Sequence, residues 1–334
     1  MTSAALKTSP EVASTALEQL TSLHKALADG LRMQILRLLK SESFGVLELC
    51  RILDIRQSAL SHHLKILATA DLVSTRREGN SIFYRRAFLS EEDSYRDIKE
   101  AVFEQLDESA LPAAQLKKIK QIQLERAQLS LSFFNKNAAK FQEKQGLIVE
   151  HDDYHAALLN VIDGLGLGPT ATVTEVGPGE GQLLVKLADK FPALTALDNS
   201  RDMLERSREA ALNNGFDNVS FLLGDTAIAR KQKLQNDLII FDMVLHHISS
   251  PAKTFKDSAA LLNPGGYLLL IELSSHDQDW VRETCGDLWL GFEETDLNHW
   301  AQQAGLTTGQ SSYLALRNGF QIQIRVFKKE THGS

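Results

Sequence analysis

Glu175-Val176-Gly177-Pro178-Gly179-Glu180-Gly181 decides how the C-terminal half of this 334-residue chain folds. The apolar run Ala171 to Val176 before it reads as a strand and the segment after it as a helix, so the glycines fall where a ligand can approach the backbone closely. A G-x-G-x-G loop alone is a weak sign, because dinucleotide binders use a relative of it. The G-x-G-x-x-G spacing of those binders is absent, which disfavours an NAD-type pocket. The next elements are more specific. Leu194 to Asp198 is a second strand ending in an acid about 20 residues beyond the loop, where a carboxylate accepts hydrogen bonds from both hydroxyls of a ribose. Val219 to Leu223 runs into Gly224-Asp225, an acid suited to the exocyclic amine of adenine. Asp237 to Phe241 ends at Asp242-Met243, and Leu262-Asn263-Pro264-Gly265-Gly266 precedes Tyr267 to Leu273. Short apolar strands separated by helical segments predict a parallel sheet covered on both faces. Ser312 to Leu316 and Phe320 to Lys328, meeting at Asn318-Gly319, predict a closing hairpin with an antiparallel edge.

Upstream the pattern is different. Leu17, Leu20, Leu23 and Leu27 recur at three- and four-residue steps, predicting a helix from Val12 to Asp29 that Gly30 ends. Further helices are expected at Arg32 to Lys40, Val46 to Leu53 and Ser58 to Ala70, then a hairpin over Leu72 to Arg86 about Glu78-Gly79-Asn80. Helices closed by a two-stranded wing make a winged helix-turn-helix. In Arg56-Gln57-Ser58-Ala59-Leu60-Ser61-His62-His63-Leu64-Lys65, hydrogen-bonding side chains open a helix whose back, Leu60 and Leu64, faces a core. Gln57, Ser58, Ser61, His62 and Lys65 belong to this polar run, the geometry a recognition helix needs if its N-terminal residues are to face base edges, and Arg76 and Arg77, with Arg85 and Arg86 on the other wing strand, would meet phosphates or an adjacent minor groove. Helices at Asp93 to Leu106 and Ala113 to Gln145 form a linker. The domains expected are 12–90, a DNA-binding head; 91–148, a helical linker and dimerisation region; and 149–330, a Rossmann-like α/β body.

The net charge of −7 is unevenly spread. Thr21 to Ser90 holds eleven Lys and Arg against six Asp and Glu, so it carries +5 and leaves −12 for the rest. A basic head on an acidic body fits a phosphate-binding module joined to something else. The longest apolar stretch, Tyr267 to Ile271, is far short of a membrane span, and no signal pattern opens the chain. A cytoplasmic protein that avoids membranes is expected. Cys50 and Cys285 read as small apolar residues.

The segments LHKALADGLRMQILRLLK and SALSHHLKILATADLVSTRREGNSIFYRR, within about residues 20 to 90, resemble the ArsR family of winged-helix regulators. The resemblance implies a homodimer on an inverted-repeat operator in double-stranded DNA. Metal-sensing members carry cysteines in the helix before the recognition helix. The matching stretch here is Gly45-Val46-Leu47, and Cys50 is alone, so no metal is expected. His151 and His155, with Asp152 between, have a chelating i, i+4 spacing, but so short a pair is a weak motif.

The ordered series of strand ends resembles the class I S-adenosylmethionine-dependent methyltransferases over about residues 150 to 330. This resemblance implies Glu175, Gly177, Gly179 and Gly181 as loop contacts, Asp198 as the ribose acid and Asp225 as the adenine acid. Asp242 lies nearest the charged sulfur. The stretches FFNKNAAKF, Phe133 to Phe141, and HDQDWVRETCGDLWLGFEETDLNHWAQQAGL, His276 to Leu306, resemble a family in which these two modules are fused. Such fusions imply a regulator of the methyl cycle that responds to S-adenosylhomocysteine or S-adenosylmethionine. Asp242, His246 and His247 sit where an acceptor could be oriented or deprotonated, which leaves an active methyltransferase as the alternative.

Overall fold

The computed structural model describes residues 10–137, 145–149, 151 and 154–331. The N-terminal residues before Pro10, the end of Phe133 to Phe141, the last turn expected of the linker and Asp152 lie outside them. The chain divides into two compact units, Met1–Ile122 and Gln123–Ser334.

In the first unit the order is α1 (Pro10–Leu27), α2 (Gly30–Leu38), β1 (Phe44–Gly45), α3 (Val46–Leu53), α4 (Gln57–Thr69), β2 (Val73–Glu78), β3 (Ser81–Arg86) and α5 (Arg96–Asp107). The helix α6 (Ala113–Asn137) crosses the division. Gly30 opens α2 instead of ending α1, and Asp29 belongs to the gap. Its carboxylate accepts the Arg32 N–H at 3.0 Å and so caps α2. Arg32 closes the helix before it, donating to the carbonyls of Ala26 (2.6 Å) and Lys25 (2.7 Å) at the C-terminus of α1. The core holds Leu23, Ile35, Leu36, Leu49, Leu60, Leu64 and Leu67. Those leucines of α4 fix which face of the helix turns to water.

The wing closes as read: β2 pairs with β3 from Val73↔Arg86 to Glu78↔Ser81, leaving Gly79-Asn80 as the turn. The short strand β1 adds to the far side of β3, in the order β1-β3-β2. Two residues, Phe44 and Gly45, are too few to show an alternating pattern. Arg86 departs from the phosphate-facing role. It is buried, donates to the Leu36 carbonyl (2.8 and 3.2 Å) and grips Asp107 with two bonds of 2.9 and 3.1 Å. It stacks on the Phe103 ring, so it ties the wing to α2 and α5.

The second unit contains α7 (His155–Gly164), β4 (Thr172–Val176), α8 (Gln182–Lys190), β5 (Ala193–Asp198), α9 (Arg201–Asn213), β6 (Val219–Leu223), α10 (Thr226–Lys231) and β7 (Asn236–Asp242). A 3₁₀ turn (Leu245–His247), α11 (Pro251–Leu261), β8 (Leu262–Leu273), α12 (Trp280–Thr284), α13 (Glu294–Gln303), β9 (Leu306–Ala315) and β10 (Gln321–Lys329) follow. The seven-stranded sheet has the order β6-β5-β4-β7-β8-β10-β9. Its first five strands are parallel, and β10 runs antiparallel to both neighbours. Among the helices that connect the parallel strands, α8 packs on α9 and α10 on α11, the two pairs that right-handed crossovers would set on opposite faces of the sheet. Val173, Ala196, Leu238 and Ile240 pack with Leu158 of α7 and Leu183, Leu184 and Leu187 of α8. The hairpin strands are longer than their apolar parts, because β9 begins with a polar, exposed run from Thr307 to Gln310 that carries no alternating signal. A bulge between Arg325 and Phe327 interrupts its pairing with β10. Among the described residues no helix is long and apolar enough to cross a membrane.

Candidate functional site

In the first unit, Gln57, Ser58, Ser61, His62 and Lys65 all lie exposed on α4, opposite buried Leu60, Leu64 and Leu67. The two histidines separate. His62 faces water, while His63 is half-buried, with its Nδ1 3.4 Å from the Arg32 guanidinium and 3.6 Å from Asp29. On the wing Arg77 is exposed, whereas Arg76 is half-buried and ion-paired with buried Glu78. Cys50 is half-buried, and burial pushes its thiol pKa up, which favours the protonated, non-ligating form.

In the second unit, strand register gathers the site. Val176 is level with Leu197 and with Phe241, and Asp198 with Leu223. The next residues along, Gly177, Asp198, Gly224-Asp225 and Asp242, thus emerge at one carboxyl edge of the sheet. Cross-strand bonds lock the level: the Gly177 N–H donates to the Leu197 carbonyl and the Gly224 N–H to the Asp198 carbonyl, both at 2.8 Å. The glycines have reasons within the protein. Gly177 has φ +67°, and a Cβ there would lie 2.4 Å from a Val244 methyl; Gly179 (+57°) and Gly181 (+86°) are also left-handed.

The carboxylates differ in setting. Asp198 is half-buried, and removal from solvent pushes its pKa up to about 6 against the opposing Ser200 and Asn199 N–H groups. Asp225 is exposed and caps α10, accepting the Ile228 N–H at 3.0 Å. Glu175 and Asp242 are buried, each with one oxygen lacking a hydrogen-bond partner. Burial and the Asp242 charge hold the Glu175 carboxyl well above the usual carboxylate range. Met243, just beyond, adopts a left-handed φ of 52°, a strained conformation for a methionine.

The histidines His155, His246 and His247 lie nearby, joined by Tyr154, Glu272 and Asp287, which the sequence did not single out. Buried Tyr154 has its pKa raised by burial and by the nearby Asp242. His155 lies between Lys186 (Nζ to Nδ1, 3.0 Å) and Asp242 (Nε2 to Oδ2, 3.4 Å). Glu272, fully buried on β8, takes the His246 Nδ1 at 2.5 Å. Burial lowers the His246 pKa, but the Glu272 and Asp287 charges outweigh it and push it up to about 9. His247 goes the other way, well below its ordinary value, through burial and the neighbouring His246. Glu272 had a faint signal, one acid inside the apolar run Tyr267 to Leu273. Asp287 had none.

Two family profiles match the chain: "Bacterial regulatory protein, arsR family" over residues 29–75 and "Methyltransferase domain" over residues 167–305. The chain joins an arsR-type helix-turn-helix to a methyltransferase-type domain. Among curated proteins, the methyltransferase-type domain is 31% identical over 106 residues to tRNA 5-carboxymethoxyuridine methyltransferase of Escherichia coli, covering 31% of this chain and 41% of that protein. It is 31% identical over 139 residues to the polyketide synthase-nonribosomal peptide synthetase pyiS of Pyricularia grisea, covering 38% of this chain and 3% of that one. The chain therefore spans less than half the length of either relative. A similar solved structure is the N-methyltransferase NodS from Bradyrhizobium japonicum in complex with S-adenosyl-L-homocysteine, at 17% identity over 57% of this chain and 98% of that one, with a TM-score of 0.44.

Proposed function

We propose that this chain is a DNA-binding transcriptional regulator of repressor type, working in the cytoplasm as a homodimer on an inverted-repeat operator. Its methyltransferase-type domain senses S-adenosylhomocysteine or S-adenosylmethionine and so controls methyl-cycle genes. The observation that carries the ligand reading is the acid-lined edge of the sheet, where Glu175 and Asp242 are buried with unpartnered oxygens. Such oxygens are costly unless a donor or a cation meets them, and an adenosyl amino acid offers an ammonium and, in S-adenosylmethionine, a sulfonium. The residues present fit such a ligand. Asp198 would take the ribose hydroxyls, Asp225 the adenine amine and the loop from Glu175 to Gly181 the amino-acid end. Bound S-adenosylmethionine would supply a methyl group on a sulfonium, and Asp242 would favour that cation over the neutral thioether.

The DNA reading rests on a helix whose exposed face is polar and basic while its back is leucine. A ligand changes operator affinity only through unequal affinity for the DNA-competent and incompetent dimers, and each tenfold change needs about 1.4 kcal/mol of coupling. A gel-shift titration of the chain's own upstream DNA, with and without saturating S-adenosylhomocysteine, tests this reading. A tenfold or larger shift is expected, and unaltered binding overturns the sensor role. Active methyl transfer is the second reading, favoured by Glu272 behind His246, which fixes that imidazole where it could orient an acceptor. Turnover of labelled methyl groups onto a small acceptor would support it.

A further inference from the structure

We propose that His246, His247 and Asp287 form a binding site for one divalent first-row transition cation, with Glu272 as the carboxylate that orients His246. This goes beyond the adenosyl reading and does not depend on it.

Adjacent histidines usually diverge, yet here the two rings lie 4.1 Å apart between centroids. They stand on the 3₁₀ turn, and the loop after α12 folds onto that turn, with the Leu288 and Trp289 N–H groups both donating to the His246 carbonyl (3.0 and 3.1 Å). The same loop carries Asp287 to the rings. Its Oδ1 lies 3.9 Å from His246 Nε2 and 3.8 Å from His247 Nδ1. These separations are too long for hydrogen bonds. They suit atoms sharing an ion: one ligand atom from each of the three residues lies within 4.8 Å of the others, a spread that a common centre about 2.2 to 2.5 Å from each can span, close to metal–nitrogen and metal–oxygen bond lengths.

An independent feature points the same way. Glu272 is held by the N–H groups of Leu273 (2.7 Å) and His246 (3.1 Å), and it receives the His246 Nδ1–H at 2.5 Å. That bond orients the imidazole with Nε2 turned to Asp287, the arrangement in which a carboxylate stands behind a metal-bound histidine, and a cation would displace the Nε2 proton. His247 Nδ1 lies 3.3 Å from the Gly286 carbonyl, a long contact that metal entry would replace. His246, His247 and Asp287 line a pocket with Phe133, Met243 and Cys285, so a cation held there would face that pocket. Two imidazoles and a carboxylate with open positions suit zinc or a neighbouring first-row ion.

The test uses the full chain stripped with a chelator and titrated calorimetrically with Zn(II), and separately with Co(II) followed by visible absorption. One equivalent per chain is expected, with Co(II) d–d bands and a metal-dependent rise in melting temperature. Asp287→Asn and His247→Gln should remove the bands and the thermal shift. Glu272→Gln, which leaves the three ligands in place, should weaken binding about 10- to 100-fold. His151→Gln, in a second group formed by His151, His155 and Asp242, should change nothing. No uptake by the folded wild-type chain overturns the proposal. So does a Co(II) spectrum that survives Asp287→Asn but is lost in His151→Gln.

Discussion

Asp198 couples ligand binding to pH. Its folded-state pKa of about 6 lies above that of an unfolded aspartate, so between roughly pH 4 and 6 the folded chain holds the extra proton. Stability contributed at this residue is therefore present at low pH and is lost as pH rises through 6. Asp198→Asn should flatten that slope in urea melts at pH 4.5 and pH 7. Ribose hydroxyls need the ionised carboxylate as acceptor, so adenosyl affinity in the wild-type chain should rise from pH 5 to pH 7. In calorimetry Asp198→Ala should lose both adenosyl ligands, and unchanged affinity removes the ribose assignment. Arg86 sets a different test, because its removal leaves Asp107 with Lys40 alone (3.2 Å) and takes from the Leu36 carbonyl its guanidinium donor, and the Phe103 ring loses its cover. Arg86→Ala should cost about 3 kcal/mol or more of stability in denaturant melts. Exposed Arg77→Ala should leave stability unchanged and reduce the salt slope of DNA binding by about one.

At the level of elements, the glycine loop shows how strand ends become a site. Gly177→Ala places a methyl group against Val244 in a left-handed backbone, so it should destabilise the methyltransferase-type domain by about 2 kcal/mol or more. Gly177→Ala with Val244→Ala should recover the clash but not the backbone cost, and a full recovery in thermal melts would show that φ matters little. Strands, turns and the recognition helix were legible because each has its own period: leucines at helical steps in α4, five apolar runs in the sheet, Gly-Asn in the wing. The acids at Asp198 and Asp242 were legible because they end strands. What could not be read depends on tertiary contact. Arg86 looks like any wing arginine until Asp107, 21 residues away, turns it inward. Asp287 meets His246 only through the loop after α12, and Glu272 through the 3₁₀ turn packing on β8, and local sequence encodes neither meeting.

For the whole molecule, charge and assembly decide DNA binding. The head's formal +5 overstates what faces DNA, because Arg32 and Arg86 are buried and Arg76 is ion-paired. Binding should therefore weaken with salt less steeply than the head's full complement of Lys and Arg would give, and Lys65→Ala should reduce affinity for every sequence as well as for the operator. Dimerisation is expected to involve Leu17, which is 66% exposed on α1. Leu17→Glu should shift the mass measured by light scattering from dimer to monomer, and a dimer that survives it moves the interface towards α5. Finally, β9 leaves one border of the seven-stranded sheet without a partner, and an open strand invites another chain to extend it. Thr307, Thr308, Gly309 and Gln310 present no greasy side chains there, and the irregular pairing near Arg325 twists the ladder out of register with any would-be neighbour. Two copies brought edge to edge should thus touch without zipping into one continuous sheet.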